Sequence, residues 1–291
     1  MLRLKKNALT EEEGKFFYKG DLFSGVAFTM SDGEMVNAIN ISEGVEIGKY
    51  FPSYLPVSES KIIDIELLEP ENEDDYEPFL CLNGERFSGI ALEFDGAFCT
   101  GEVLYVRGWS DSQVAYYETG CLESIELVED GFSQIYQWYE NDQLKKYEVT
   151  SRNSFSFDLA FNENGYLSVL GMEGDYFNQV KMISDKLVIP AFKDDSFLRN
   201  LKSAEFLSLS GHSVTDKLFR RLIYSGVLEL MESISLFQTA VTKESLFLLQ
   251  EDSNLKNLLI NSNIINLDDL KLFKLNNPDC YVEFNRVEVL V

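Results

Sequence analysis

The side chains that most often perform chemistry in proteins are sparse in this sequence, with carboxylates as the exception. The 291 residues include one histidine, His212, and four cysteines, against 49 Asp and Glu. A single histidine cannot build a histidine-based metal cluster, and no HExxH motif is present. No nucleophile elbow, P-loop or dinucleotide-binding glycine motif occurs either. We therefore expect His212 to make a structural hydrogen bond to a turn backbone rather than to act as acid or base.

Paired carboxylates leave glycoside hydrolysis open as a reaction class, since two acids a fixed distance apart can perform it. Such enzymes place the acids in deep clefts rich in tryptophan, and the only tryptophans here are Trp109 and Trp138. The Asp-x-Asp-x-Asp-Gly spacing of calcium loops is also absent. We predict no enzymatic activity, no metal and no cofactor, with a carbohydrate-active enzyme as the weakest alternative.

The cysteines, the first residues of the chain and its hydropathy bear on location. Cys81, Cys99, Cys121 and Cys280 form no CxxC pair, so we expect free, buried thiols in a reducing compartment. The basic residues near the start precede no apolar run, so no signal peptide is predicted. No apolar stretch of 18 residues exists, so no membrane span is predicted. The sequence favours a cytoplasmic protein.

The net charge of −24 is distributed unevenly. Residues 1–195 hold 15 Lys and Arg against 37 Asp and Glu, a net of −22, and residues 196–291 hold 10 against 12, a net of −2. Such a field repels nucleic acids and anionic membranes and attracts basic partners. Solubility alone is the other explanation. We predict a protein partner and neither a nucleic-acid nor a membrane partner.

The first part of the chain repeats a short pattern. Residues 20–28, GDLFSGVAF, return 64 positions later as residues 84–92, GERFSGIAL. The dipeptides Asp32-Gly33 and Asp95-Gly96 follow them, and Asp-Gly between β-rich runs indicates a two-residue hairpin turn. Looser copies lie at 116–124, 138–146 and 160–168. Their turns follow Gly96 in steps of 24, 22 and 23 residues, at Gly120, Asp142 and Gly165.

Each of these copies reads as an aromatic strand, a tight turn and a second strand. A lone hairpin is marginal in water, so several hairpins are expected to stack into one long antiparallel sheet. At these residues the chain resembles the MORN-repeat family, and more closely its bacterial variant with the pattern aromatic–x–x–(Asn/Asp/Thr)–Gly–x–Leu. The first two copies also carry the family's Gly-x-x-Phe-(Ser/Thr)-Gly core, and the resemblance covers about residues 15–175. It implies a binding scaffold, since the bacterial variant is known mainly in antitoxin and immunity proteins.

An acidic segment, residues 69–78, interrupts the hairpins. It is bracketed by prolines and poor in apolar residues, which predicts a loop. The loop is either a solvated connector or a negative finger for a basic partner, formed by Glu71, Glu73, Asp74, Asp75 and Glu77.

The last third of the chain carries a second repeat, with the frame Leu-x-x-Leu-x-Leu-x-x-Asn. Leu209, Leu236 and Ile260 occupy one position of this frame at intervals of 27 and 24 residues, and a strand at 281–284 continues the series. An apolar residue and then Thr215, Thr242 or Asn266 follow each strand, as N-caps of helical runs. The alternation of strand and helix resembles the leucine-rich repeat family over residues 198–290, with helices long enough for its α/β horseshoe branch.

A helix that returns the chain makes successive strands parallel, and alternate side chains then point to an open face. The residues expected to bind a partner on that face are Glu205, Phe206, Glu232, Phe237, Asn257 and Asn261. Phe206 and Phe237 are candidate aromatic anchors. The alternative is that both pack against the hairpin array.

These patterns predict an α+β protein in two parts. Residues 1–190 are expected to form an elongated, strongly acidic sheet of antiparallel hairpins, and residues 191–291 a short leucine-rich repeat array with parallel strands. The function that fits best is a bacterial immunity protein or antitoxin that occludes a basic toxin domain. The alternative is a general adaptor, or a secreted effector that binds a host protein.

Overall fold

The computed structural model describes residues 1–30, 36–52, 54–55, 61–72, 78–129, 131–151, 156–183, 186–251 and 254–291. Strands dominate these residues and most belong to a large mixed sheet, which is compatible with the predicted α+β class. The chain divides into a first unit, Met1–Asp130 with Gln134–Asp142, and a second unit, Gly131–Ser133 with Gln143–Val291. The predicted turn at Asp32-Gly33 lies outside the described residues.

The first unit is built almost entirely from short strands, with single 3-10 turns at Lys6–Ala8 and Ile65–Leu67. Its strands are β1 (Leu2–Lys5), β2 (Thr10–Glu12), β3 (Lys15–Tyr18), β4 (Asp21–Leu22), β5 (Gly25–Met30), β6 (Val36–Ser42), β7 (Val45–Lys49), β8 (Ile62–Asp64), β9 (Glu69–Pro70), β10 (Leu80–Leu82), β11 (Glu85–Arg86), β12 (Gly89–Asp95), β13 (Phe98–Val106), β14 (Trp109–Tyr116) and β15 (Leu122–Glu129). The next strand, β16 (Phe132–Trp138), has residues in both units.

The first unit contains the same module twice. In the first module, β1 pairs in parallel with β5, and β5, β6 and β7 follow one another as antiparallel neighbours. In the second module, β8 pairs in parallel with β12, and β12, β13 and β14 follow in the same way. Each module adds a small three-stranded sheet, β2-β3-β4 in the first and β9-β10-β11 in the second. The repeated sequence therefore encodes a unit of seven strands rather than a single hairpin.

The repeated Phe-Ser-Gly residues have the same role in both modules. Phe23 is buried in the first, and the Ser24 hydroxyl accepts a 2.8 Å hydrogen bond from the Glu43 backbone N–H. In the second module Phe87 is buried, and Ser88 accepts a 2.8 Å bond from the Arg107 N–H.

The glycine of this motif permits a close approach of two strands. A Cβ atom at Gly25 would overlap the carbonyl oxygen of Leu2, and one at Gly89 would lie 2.6 Å from that of Lys61. Glycine is thus required where β1 and β8 pass their parallel neighbours.

The predicted hairpin turns lie where the spacing places them, with one shift. Gly96, Gly120, Asp142 and Gly165 all have positive φ, as tight turns need. However, Asp95 pairs with Phe98, so Asp95 still belongs to β12 and the turn consists of Gly96 and Ala97. The predicted Asp95-Gly96 turn was therefore wrong by one residue, because strand pairing continues to the last position that two turn residues allow.

The second unit joins three antiparallel strands to a parallel ladder with helices. Its strands are β17 (Leu144–Ser151), β18 (Ser156–Phe161), β19 (Leu167–Glu173), β20 (Ser203–Ser210), β21 (Ser233–Phe237), β22 (Asn257–Asn261), β23 (Tyr281–Phe284) and β24 (Val287–Glu288). Its helices are α1 (Tyr176–Gln179), α2 (Asp216–Tyr224), α3 (Lys243–Leu246) and α4 (Leu267–Asn276), and 3-10 turns lie at Val180–Met182, Pro190–Lys193, Asp195–Asn200 and Phe247–Glu251.

The parallel ladder runs from β19 to β23, with one register shift between β19 and the start of β20. Leu209 lies beside Leu236, which lies beside Ile260, which lies beside Phe284, so the register keeps the spacing of the sequence frame. One side of each strand is buried against α2, α3 and α4, whose buried residues include Phe219, Leu246 and Phe273.

The residues expected to cap the helices occupy the N-cap position, but only one of them caps with its side chain. Asn266 accepts a 2.9 Å hydrogen bond from the Asp269 N–H. Neither Thr215 nor Thr242 makes such a bond. Instead, Thr242 donates its N–H (2.9 Å) and its hydroxyl (2.8 Å) to Asp216 at the start of the preceding helix. One repeat is thereby tied to the next.

An aromatic cluster fills the second unit beneath the hairpin strands. The rings of Phe157 and Tyr176 stack 3.9 Å apart, and those of Tyr147 and Phe192 stack 4.5 Å apart. The Tyr147 and Tyr176 hydroxyls lie 3.0 Å from each other, and Tyr176 also donates to the Phe192 carbonyl. The segment between β19 and β20 supplies half of this core, so residue 190 lies inside a compact unit. The boundary predicted at residue 190, where hairpin repeats give way to leucine-rich repeats, stays a prediction.

Candidate partner-binding surface

The side of the second unit's sheet that faces away from its helices is open, and we call it the open face. Strand pairing aligns its side chains in rows that cross the sheet from β17 to β23. Most members are small or polar, which leaves the backbone accessible and the surface shallow. The longest row consists of Lys146, Ala160, Val169, Ser208, Ser235, Leu259 and Glu283.

The register between β19 and β20 is irregular at the start of β20, just before the regularly paired residue Phe206. Leu167 pairs with Ser203, but Val169 pairs with Ser208, so β20 has extra residues between these two pairs. Bulges of this kind re-aim side chains. Consecutive residues in a regular strand point to opposite sides, yet Glu205 and Phe206 are both exposed, Phe206 to 48%.

These two residues line a groove of about 770 Å³, which we call the acidic groove. One wall is the turn between β18 and β19, with Tyr166 37% exposed, and another is the segment after α2, with Leu230 46% exposed. The lining is Asn162, Asn164, Tyr166, Ser168, Ser203, Ala204, Glu205, Phe206, Glu229, Leu230, Glu232 and Asn254. The groove thus combines apolar walls with three carboxylates.

Two of these three carboxylates have cationic partners. Lys202 contacts Glu229, and the Lys256 ammonium lies 2.7 Å from Glu232. Within the part of the chain that the structure describes, Glu205 has no ion pair. Exposed pairs of this kind contribute little stability, so their lysines can be displaced by a cation of a partner at small cost.

The predicted site residues fall into two groups on the open face. Glu205, Phe206 and Glu232 share the acidic groove, and Asn257 lies one strand further, with its amide donating a 2.8 Å hydrogen bond to Ser233. Phe237 is at the other end of the strands, 45% exposed and paired with Ser210 and Asn261.

The two candidate anchors are therefore separate. Phe206 pairs with Ser233, the residue four positions before Phe237. Four strand residues span about 13 Å. The two aromatic rings cannot act as one anchor, and each must be tested by itself.

A cluster of charged residues near Phe237 was not predicted. Glu148 lies opposite Asp158 on the adjacent strand, and Lys146 forms an ion pair with Glu148. Gly171 lies between Asp158 and Ser210, where a Cβ atom would overlap the Asp158 carboxylate. Burial, together with the charge of Glu148, raises the pKa of Asp158. These side chains can donate and accept hydrogen bonds, and the raised pKa of Asp158 makes its carboxylate easier to protonate.

Of the predicted acidic finger, only Glu71 can be placed. Its carboxylate accepts hydrogen bonds from the Arg86 guanidinium at 2.6 and 3.1 Å. The other members, Glu73, Asp74, Asp75 and Glu77, lie outside the described residues.

The first unit also contains a charged cluster that is sealed from solvent. Glu102 is fully buried, with an ion pair to Arg3 and a 2.9 Å hydrogen bond from the Tyr50 hydroxyl. The Arg3 guanidinium lies 4.0 Å from the ring centroid of Tyr116 and 4.8 Å from that of Tyr50. Burial raises the pKa of Glu102 and of Tyr50. A cluster without solvent access has a structural role.

No histidine or cysteine side chain that the structure describes lines the acidic groove. The ring of His212 is 3.2 Å from the Glu173 carboxylate and makes no hydrogen bond to a turn backbone among the described residues, contrary to expectation. All four cysteines are free, and Cys81, Cys99 and Cys280 are buried. Over the described ranges, no three His, Cys, Asp or Glu side chains converge as metal ligands. No helix in those ranges has the length and hydropathy to cross a membrane.

Comparisons with known proteins add little. No family model matches the chain and no curated protein matches it. A solved structure of accessory secretory protein 1, 2 and 3 from Streptococcus pneumoniae is similar at 9% identity and a TM-score of 0.18, over 78% of this chain and 61% of that chain. The GtfA/B complex bound to UDP and GlcNAc is similar at 8% and 0.20, over 88% and 55%. This chain therefore spans less than two thirds of either, and likenesses at these TM-scores bear on neither fold nor function.

Of the twelve described residues that line the acidic groove, the predicted set contains only Glu205, Phe206 and Glu232. Tyr166 belongs to a hairpin and Glu229 and Leu230 follow a helix, and none of them shares a repeat position with Phe206. The one signal in the sequence is local: apolar residues close to acids, at a turn and after a helix.

Proposed function

We propose that this chain is a non-catalytic protein-binding scaffold whose acidic groove receives a basic segment of a partner protein. The observation that carries the proposal is the exposure of Phe206 beside the carboxylate of Glu205, which has no ion pair among the described residues. An aromatic side chain within a groove supplies apolar contact area, as anchors in protein interfaces do. Carboxylates around it select a cationic partner and speed its approach.

The two resemblances seen in the sequence become part of this proposal. The duplicated module and the further hairpins support a MORN-variant array, and the parallel strands that alternate with helices support a leucine-rich repeat array. Repeat arrays provide long, shallow binding surfaces, and the open face is such a surface.

Within this class we propose an immunity protein or antitoxin of bacterial type, which neutralises a basic toxin by covering its active surface. The net charge of −24 supports it, since a polyanionic surface complements a toxin that itself binds a polyanion. The alternative is an adaptor or secreted effector that uses the same groove on a host protein.

The test is protection of growth against a toxin encoded beside the gene for this chain. We expect the unaltered chain to restore growth on co-expression, and a Glu205→Lys, Phe206→Ala variant to lose protection. Glu244→Lys is the control, because this exposed glutamate lies on α3, on the helical side of the sheet. The variant's unfolding transition must match that of the unaltered chain.

Two results would contradict the proposal. Full protection by the Glu205→Lys, Phe206→Ala variant would show that the acidic groove does not bind the toxin. If the chain gives no protection against a toxic protein encoded beside it, the immunity proposal is refuted. The adaptor alternative then remains, and it requires a host protein that binds through Glu205 and Phe206.

A further inference from the structure

The two modules of the first unit provide an internal comparison that separates folding from binding. Their hydrogen bonds are equivalent: Phe23 N–H to Phe16 C=O at 2.9 Å corresponds to Phe87 N–H to Leu80 C=O at 3.0 Å. An exposed residue that one module has and the other lacks is therefore not part of what the shared fold requires. Several equivalent surface positions differ, Glu43 and Arg107 among them. Three of these differences lie together in the second module: Lys15 and Phe79, Leu22 and Arg86, Val45 and Trp109.

In the second module these positions form one organised group, which we call the Trp109 cluster. The Arg86 guanidinium lies 3.5 Å from the ring centroid of Phe79, and that ring packs edge-on against Trp109 at 4.5 Å. Glu71 holds the other side of Arg86 through its two carboxylate oxygens. Stacking on Phe79 and a bidentate ion pair with Glu71 hold Arg86 in place. The ordered Arg86 in turn orients the Phe79 ring, and that ring orients Trp109.

Trp109 remains available for a partner. Its side chain is 47% exposed, and no hydrogen bond from its indole N–H to any described residue is present. A large aromatic ring held rigidly in solvent loses little entropy on binding, which is why Trp and Arg are frequent anchors of interfaces.

The surroundings favour a cationic occupant. The second module is five residues longer than the first at this point: six residues separate Leu9 from Phe16, and eleven separate the equivalent Leu68 and Leu80. No lysine or arginine occurs in the longer segment, whereas Glu69 and Glu71 do. The six Asp and Glu of this segment outnumber the exposed Arg86 and Arg107 of the same module, and Arg86 is neutralised by its ion pair with Glu71. The net charge of these residues is therefore negative, which favours a positively charged side chain over an anion.

We propose that the Trp109 cluster is a second contact for the basic partner, in which a lysine or arginine of that partner stacks on the exposed indole. The proposal rests on the proposed function, because it assigns another contact to the same class of partner. The first module has no equivalent contact, since Val45 offers neither a π-face nor a hydrogen-bond donor.

Residues of the first module supply variants that the fold already accepts. Trp109→Val and Arg86→Leu each place in the second module the side chain that the first one has. Val45→Ala is the matched control at the equivalent position. The probe is a ten-residue peptide of alternating lysine and alanine, titrated calorimetrically into the full chain at physiological ionic strength.

We expect Trp109→Val to weaken binding of this peptide about five-fold or more, the loss typical of truncating an aromatic anchor, and Val45→Ala to leave it unchanged. In the unaltered chain, the indole N–H resonance of Trp109 should shift on peptide addition more than that of Trp138. Equal affinity for the Trp109→Val variant would overturn this inference and leave the acidic groove untouched. Failure of the peptide to bind the unaltered chain would overturn both the inference and the preference for a basic partner.

Discussion

Replacement of Glu102 by glutamine is expected to destabilise the first unit strongly. Glu102 is fully buried and forms an ion pair with Arg3, which is 4% exposed. Glutamine keeps the size of the side chain and an oxygen that can accept from the Tyr50 hydroxyl, but it removes the negative charge. The guanidinium then remains in the protein interior without its carboxylate partner, and breaking a buried ion pair in this way costs about 3–5 kcal/mol.

The protonation of Arg3 decides where in this range the loss falls. Burial opposes its charge, but Glu102 and the neighbouring tyrosines raise its pKa above the ordinary value, so Arg3 stays charged. The ring of Tyr116 lies 4.0 Å from the guanidinium in the unaltered chain, and glutamine at position 102 leaves this cation–π contact in place. The charge of Arg3 therefore keeps one favourable partner, which favours the lower end of the range. We therefore expect a loss near 3 kcal/mol.

The double variant Arg3→Met, Glu102→Gln tests the cause. It removes both charges, so most of the stability should return, with a coupling energy of about 2 kcal/mol or more. Arg3→Met alone should cost less than Glu102→Gln, because burial raises the pKa of Glu102 and lets the carboxyl take up a proton.

Urea unfolding followed by circular dichroism measures these differences. With a urea dependence of about 1–3 kcal/mol per molar, Glu102→Gln should lower the midpoint by at least about 1 M. A loss below about 1 kcal/mol, or a double variant as unstable as the sum of the single variants, would refute the reasoning.

Two further predictions concern the second unit and the cysteines. Burial raises the pKa of Asp216, but the hydrogen bonds from Ser245 and Thr242 together outweigh it and lower the pKa. The stabilisation from Asp216 is therefore present above its ordinary pKa and is lost as the pH falls through the folded-state value. Asp216→Ala should thus cost about 1.5–3 kcal/mol at pH 7 and much less near pH 3, measured by urea unfolding, and a pH-independent loss would contradict this. Burial raises the pKa of Cys99 to about 12, so at pH 8 Ellman's reagent should modify the partly exposed Cys121 first, whereas equal rates for both would contradict the assignment.

Much of the first unit could be predicted because its signals are local. The Phe-Ser-Gly motif specifies a buried ring, a hydroxyl acceptor and a position without Cβ, and these requirements recur at Phe23 and Phe87. Positive φ at Gly96, Gly120, Asp142 and Gly165 follows from the residue type at each turn. The sequence did not predict the parallel pairing of β1 with β5, because it joins residues 23 positions apart that belong to no recognisable pattern.

The acidic groove could not be predicted from local sequence patterns alone. Strict strand alternation puts only one of the neighbours Glu205 and Phe206 on the open face, and Glu205 is exposed as well because it lies where the register between β19 and β20 is irregular. The two strands are separated by the segment that supplies Tyr176 and Phe192 to the aromatic core. The packing of that core decides which strands become neighbours. The residue pattern of β19 or of β20 alone does not indicate that the two strands pair.

The sequence by itself determined the turns, the repeat spacings, the buried side of each strand and the surplus of negative charge, since each depends on residues close in the chain. Only the tertiary structure decided that β19 and β20 pair in parallel, that Tyr166 and Leu230 flank Phe206, and that Arg86 orders the rings beside Trp109. The physical reason is that these arrangements are set by the packing and hydrogen bonding of segments distant in sequence, whose free energy no single segment contains.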